Sequence, residues 1–233
     1  MKRLIPCSLA CSLWLVVALF PRPASAADRL EETLSKMDAA ALRFHALTAQ
    51  LSYTKVTLVV DDRVTESGDI HFKKEKGGKG FKVLIEFTQP EAKTVLFRDN
   101  KAWIYRPKIA QMEEYDLGKN RERLEQFLLL GFGAPGHELL KAYTVTLAGE
   151  VNLSGAATVK LDLTPLGSLA GQLRKVELWL SRDTWQPVQQ QFTEPSGDYL
   201  LARYTNIKEN AALPDSVFQI KTSGKVKKVR PQT

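Results

Sequence analysis

The feature that most constrains this chain is a run of period-two alternation between Gly68 and Tyr115, GDIHFKKEKGGKGFKVLIEFTQPEAKTVLFRDNKAWIYRPKIAQMEEY. Ile70 and Phe72 alternate with polar neighbours, as do Phe81, Val83, Ile85 and Phe87, and then Trp103 and Tyr105. Such alternation builds strands with one apolar and one wet face. Turn chemistry interrupts it at Gly77-Gly78-Lys79-Gly80, Gln89-Pro90, Asp99-Asn100 and Arg106-Pro107. Asp99-Asn100 suits a tight hairpin, because both residue types tolerate a left-handed backbone. The stretch therefore reads as four or five short antiparallel strands, and what their apolar face meets decides the function.

The start of the chain has the form of an export signal. Lys2 and Arg3 precede an apolar run from Leu9 to Phe20, and Ala24-Ser25-Ala26 supplies small residues for cleavage. The run is shorter than the ~20 residues of a membrane span. Residues 1–26 are expected to be a signal peptide cleaved near Ala26, with residues 27–233 as one exported, periplasmic domain. Both cysteines, Cys7 and Cys11, lie in the signal. The mature chain then has no disulfide or Cys-based metal site and must be held together by its core. Loss of Lys2, Arg3 and Arg22 leaves 30 basic against 26 acidic residues, a net charge of +4. That balance, with no groove-entering motif, argues against nucleic acid as a partner. The basic ending, Lys221, Lys225, Lys227, Lys228 and Arg230, reads as a solvated tail or as a contact to acidic protein or lipid headgroups.

Along the chain, Asp28 is placed to cap a helix over residues 29–45, with Leu30, Leu34, Met37, Ala41 and Phe44 on one stripe. Residues 49–60 are strand formers, turning at Asp61-Asp62. After Tyr115 the period changes. Residues 121–130 form an amphipathic pattern ending at Gly131, residues 132–136 a mobile connection, and residues 137–142 a second short helix. Strands resume over residues 143–147, 158–163, 173–180, 188–192, 199–207 and 217–220. The count is ten or eleven strands in hairpin order, and a sheet of that length tends to curl or close.

Enzymatic chemistry finds little footing. His45, His71 and His137 sit in three kinds of element, with no metal-ligand spacing, nucleophile elbow or phosphate loop around them. No cofactor, metal or catalytic residue is expected. Val159, Leu161, Leu163, Val176, Leu178, Leu180, Val188 and Phe192 extend the apolar set. They form either a filled core or the wall of an apolar pocket for lipid, and periodicity alone does not choose between the two.

Taken in order, Gly68-Asp69-Ile70-His71-Phe72-Lys73-Lys74, Phe87-Thr88-Gln89-Pro90 and Asp99-Asn100-Lys101-Ala102-Trp103-Ile104-Tyr105-Arg106-Pro107 carry a resemblance. Leu161-Asp162-Leu163-Thr164-Pro165, Val176-Glu177-Leu178-Trp179-Leu180, Gly197-Asp198 and Phe218 continue it. The chain resembles the LolA family of outer-membrane lipoprotein carriers and their lipoprotein-sorting relatives. The resemblance implies an incomplete antiparallel β-barrel with a helical lid over an apolar cavity. It also implies a monomeric carrier for the acyl chains of lipoproteins, loaded by an inner-membrane lipoprotein-releasing transporter and unloaded by an outer-membrane receptor. A lipid or glycolipid carrier, or a lipid-sensing regulatory domain of the same fold, is the alternative. The expected cavity lining is Leu51, Tyr53, Ile70, Phe72, Val83, Ile85, Phe87, Trp103, Leu161, Leu178 and Phe192. Lid residues are Leu124, Phe127, Leu128, Leu139 and Leu140, with Gly131, Gly133 and Gly136 as hinges. Relatives carry Arg-Pro where this chain has Lys74-Glu75, and the Arg is linked to lid closure. Lys74 is thus the gating candidate, as a point-charge donor without the planar fork.

Overall fold

A computed structural model describes residues 25–75, 80–118, 130–222 and 224–231. Helix α1 (Ala26–Arg43) begins with a capping box: Ser25 Oγ accepts from the Asp28 amide at 3.2 Å, and Asp28 Oδ2 accepts from the Ser25 amide at 3.0 Å. The N-cap is therefore Ser25, and Asp28, the expected cap, is the third helical residue that reciprocates. Cleavage at the expected site would remove Ser25 and leave Asp28 to cap alone. The helix stops two residues short of the expected His45 because a distant side chain ends it. Asn210 Nδ2 donates to the Arg43 carbonyl at 2.9 Å, while its Oδ1 accepts from the His45 amide at 2.7 Å. Phe44 is consequently extended, and its buried ring packs toward the sheet.

The strands are β1 (Ala46–Thr57), β2 (Asp62–Lys74), β3 (Phe81–Gln89), β4 (Lys93–Arg98), β5 (Lys101–Arg106), β6 (Gln111–Asp116), β7 (Tyr143–Leu153), β8 (Ala156–Pro165), β9 (Lys175–Ser181), β10 (Pro187–Thr193), β11 (Tyr199–Glu209) and β12 (Lys227–Val229). They form one twelve-stranded sheet in the order β12-β6-β5-β4-β3-β2-β1-β11-β10-β9-β8-β7. Hairpin order makes every pairing antiparallel except β12 on β6, which is parallel. Strand β1 unites the two hairpin series: Leu51 lies opposite Gly68 of β2 and Tyr204 of β11. The sheet does not close, and β12 and β7 are its edges. This is the mainly β architecture that the alternation called for, with the N-terminal helix read from its apolar stripe and the incomplete closure that the resemblance implied.

Three segments depart from the sequence reading. Leu58–Val60, expected as strand, is a 3-10 turn at the tip of the β1–β2 hairpin, with Val59 87% exposed. Residues 217–220, expected as a strand, instead lie across the outer face of β3–β5, where Phe218 is fully buried against Leu84 and Leu96. The basic tail is not wholly solvated, since Lys227–Val229 adds the short edge strand β12.

Candidate functional site: the inner face and its strap

Register puts one continuous apolar face toward α1. Leu47, Phe72, Val83 and Phe97 lie side by side across β1–β4, and Ala49, Ile70, Ile85, Val95 and Ile104 form the next row, reaching β5. Tyr53, Ala202, Gln190, Leu178 and Leu161 continue the face through β11, β10, β9 and β8. Leu51 and Phe87 flank Gly68, and Phe192 lies beside Val176 and Leu200. Every expected lining residue except Trp103 is on this face.

Trp103 is on the other side. It lies opposite Leu96 in the β4–β5 hairpin, packs with Leu84, Leu96 and Phe218, and donates its Nε1–H to Glu114 at 3.2 Å. Ile104 takes the inner position. Strand β4 is apolar at Val95, Leu96 and Phe97 in succession, because the C-terminal segment covers its outer face. Alternation therefore cannot tell its two sides apart. Leu84, Leu213 and Val217, which make the outer layer legible, were not among the expected functional residues.

The two halves of the inner face are covered differently. Over β7–β10, Leu34 and Met37 of α1 pack with Leu130, Leu139, Tyr143, Leu161, Val176 and Leu178. Leu161, Leu163, Val176, Leu178 and Leu180 have no measurable exposure. This half is a filled core. Over β1–β4, the cover is a ladder of rings: Phe44 lies 5.4 Å from Phe72 and 6.4 Å from Phe132, and Phe132 stands edge-on to Tyr204 at 4.9 Å. Tyr53, Phe81, Phe97 and Ile104 at the margin remain partly exposed. A groove of about 610 Å³ opens beside Phe44 and Lys74, between Ala41 and Leu213.

Phe132 and Leu139 belong to a strap, residues 130–142, that crosses from the sheet to α1 and contains the expected second short helix as a 3-10 helix (Gly136–Lys141). Glycine is required at three points, the first being Gly131, where the backbone is left-handed (φ +83°) and a Cβ would sit 2.8 Å from Pro187. At Gly133 the backbone is left-handed (φ +58°), and a Cβ would run into the Phe44 ring and the Lys74 side chain. At Gly136 a Cβ would sit 2.6 Å from the Leu34 carbonyl oxygen, so the strap lies directly on α1. Leu139 is buried under it, whereas Leu140 is 44% exposed and faces away, contrary to its expected place in the lid. Leu124, Phe127 and Leu128 fall outside the described residues.

Polar side chains hold the strap. Lys74 Nζ donates to the Gly133 carbonyl at 2.6 Å and lies 5.8 Å from the Phe44 ring centre. Burial lowers the Lys74 pKa. The Gly133 amide donates to Gln186 Oε1 at 3.1 Å. Gln190, 1% exposed in the middle of the apolar face, donates its Nε2 to the Leu130 carbonyl and accepts from the Tyr204 hydroxyl at 2.9 Å. Burial pushes the Tyr204 phenol well up, so it remains a donor and fixes the orientation of the Gln190 amide. At the far end, His137 sits between two carboxylates of α1, with Nδ1 2.5 Å from Asp38 and Nε2 3.0 Å from Glu31. These hydrogen bonds, Asp38's first, raise the His137 pKa; burial works against the Asp38 charge, yet His137 holds that carboxyl below its ordinary value. Neither Gln186, Gln190 nor the His137 clamp was singled out from sequence. A glutamine at an inward strand position, Gln190 between Val188 and Phe192, was the available signal.

The chain resembles several solved structures at low identity. MucB shares 18% identity over 87% of this chain and 65% of its own length, with a TM-score of 0.54. In the complex of Pseudomonas aeruginosa MucA and MucB, the match has 18% identity over 83% of this chain and 61% of that one, with a TM-score of 0.50. An uncharacterized conserved protein from Thermus thermophilus matches at 13% identity over 87% and 99%, TM-score 0.54. LprF from Mycobacterium bovis matches at 15% over 82% and 97%, TM-score 0.50. No curated protein sequence matches the chain. The family described as outer membrane lipoprotein carrier protein LolA matches residues 38–221, from the middle of α1 to beyond the segment that covers the outer face, and the chain belongs to that family.

Proposed function

We propose that this protein is an exported periplasmic carrier that shields the acyl chains of lipoproteins on the inner face of its sheet. LolA proteins are periplasmic and non-enzymatic carriers, which sets the class. The observation that carries the finer reading is the strap. A wide apolar face is roofed on the β1–β4 side by a segment attached through glycines and side-chain-to-carbonyl hydrogen bonds. Burying acyl chains is worth about 0.8 kcal/mol per CH₂, enough to drive displacement of such a cover and too much to leave exposed during transit through water. The lining is Leu51, Tyr53, Ile70, Phe72, Val83, Ile85 and Phe87. Leu161, Leu178 and Phe192 form the fixed floor that orients the strap. Lys74 gates the cover by releasing the Gly133 carbonyl. Loading by an inner-membrane transporter, delivery to an outer-membrane receptor and a monomeric carrier complete the proposal.

Lipid extracted from gently purified protein and identified by mass spectrometry tests this reading. Acyl-bearing lipid or lipoprotein should accompany the wild type and be lost from Ile85→Glu. Unchanged lipid in a folded Ile85→Glu variant would remove the face from the site. The likeness to MucB, solved with MucA, supports a second reading in which the same face receives a partner protein's segment. Protein without lipid that captures an apolar peptide would favour it.

A further inference from the structure

The strap's attachments have a common chemistry. Gln190 and Lys74 are donors on the inner face, and both are satisfied by backbone carbonyls of the strap, Leu130 and Gly133. Tyr204 fixes the Gln190 amide so that its NH₂ faces the cover. When an acyl chain displaces the strap, these donors lose their acceptors. A buried polar group without a partner is costly, and hydrocarbon offers none. A ligand restores the balance only if it brings carbonyl oxygens of its own to the places left by Leu130 and Gly133.

We propose that Gln190, oriented by Tyr204, and Lys74 form a carbonyl-recognition pair, so that the face selects ester- or amide-linked acyl groups over bare alkyl chains. The strap is then an internal mimic of the ligand: its carbonyls hold the donors in the empty protein and are exchanged for the acyl carbonyls on loading. The exchange conserves hydrogen bonds, which keeps loading and unloading near balance, as a carrier needs. This inference rests on the acyl-carrier reading and adds the ligand's linkage chemistry to it.

The test compares dioctanoyl glycerophosphocholine with its dioctyl ether counterpart, both monomeric in solution, by competition against a fluorescent fatty acid. The two lipids differ at the carbonyls. Wild-type protein should bind the ester form about tenfold more tightly, the worth of roughly one hydrogen bond. Gln190→Leu removes the donor that the ether lipid leaves unpaired, so the ester-to-ether preference should be lost, read as a ratio near one. Should Gln190→Leu fail to fold, Tyr204→Phe removes the anchor without disturbing the face and should lower the preference by several-fold. Equal binding of ester and ether lipids by wild type would overturn the carbonyl pair and leave the carrier reading standing. Binding of neither lipid would overturn both.

Discussion

The two halves of the inner face teach different things. Over β7–β10, leucines and valines of the sheet meet Leu34 and Met37 of α1 and Leu130 and Leu139 of the strap, and apart from Gln190 the contact is carbon on carbon. Over β1–β4, the cover is a segment of rings and glycines fastened by Lys74 of β2 and, from the other half, by Gln186 and Gln190 in and beside β10. Opening packing of the first kind forfeits many close contacts at once. Hydrogen bonds of the second kind can pass from one acceptor to another at little net cost. On the proposed reading one half is a foundation and the other a closure, although one sheet supplies both.

Substitutions separate the halves. Leu178→Ala, in the filled half, should lower the unfolding free energy by about 2–5 kcal/mol, read from denaturant titration. A loss under about 1 kcal/mol would place Leu178 outside a close-packed core. Gly133→Ala forces a side chain onto a left-handed residue against Phe44. If the strap lifts as proposed, the expected global loss is smaller, about 1–2 kcal/mol, with a rise in binding of an apolar fluorescent probe. Global loss matching that of Leu178→Ala, with no added probe binding, would make the two halves equivalent.

The smallest expected effect is on pH. His137 is raised from its usual 6.5 by Asp38 and then Glu31, so its protonated form is the one bound between them. That attachment is complete below the unfolded value and is lost as pH rises through the higher folded value. Amide protection in residues 136–142, corrected for intrinsic exchange, should therefore fall on going upward from slightly acid pH. His137→Gln should flatten the dependence, and a strap protected equally across that range would assign His137 no part in holding it.

Much of the frame is legible in the residues. Period-two alternation in β2 and β3 gives strands, faces and the inward set Ile70, Phe72, Val83, Ile85 and Phe87. It fails where both faces are covered, which is why it points Trp103 inward although Leu96 and Phe218 hold that ring outside. Local signals place α1, but its true cap and end depend on Ser25 and on Asn210, the latter 167 residues from Arg43. The lysine at the expected gating position does meet the strap. That its partner is Gly133, itself legible only as a hinge, and that Gln186 and Gln190 share the work follow from contacts between distant segments that no local pattern encodes.

Native-state hydrogen exchange is the measurement that reaches the central claim, that the strap opens while the foundation stays shut. Amides of residues 130–134 should exchange through a local opening at least about 100-fold faster than those of Leu161 and Leu178, and a bound acyl lipid should change the first group alone. Exchange of both groups at one rate, through unfolding of the whole domain, would contradict it.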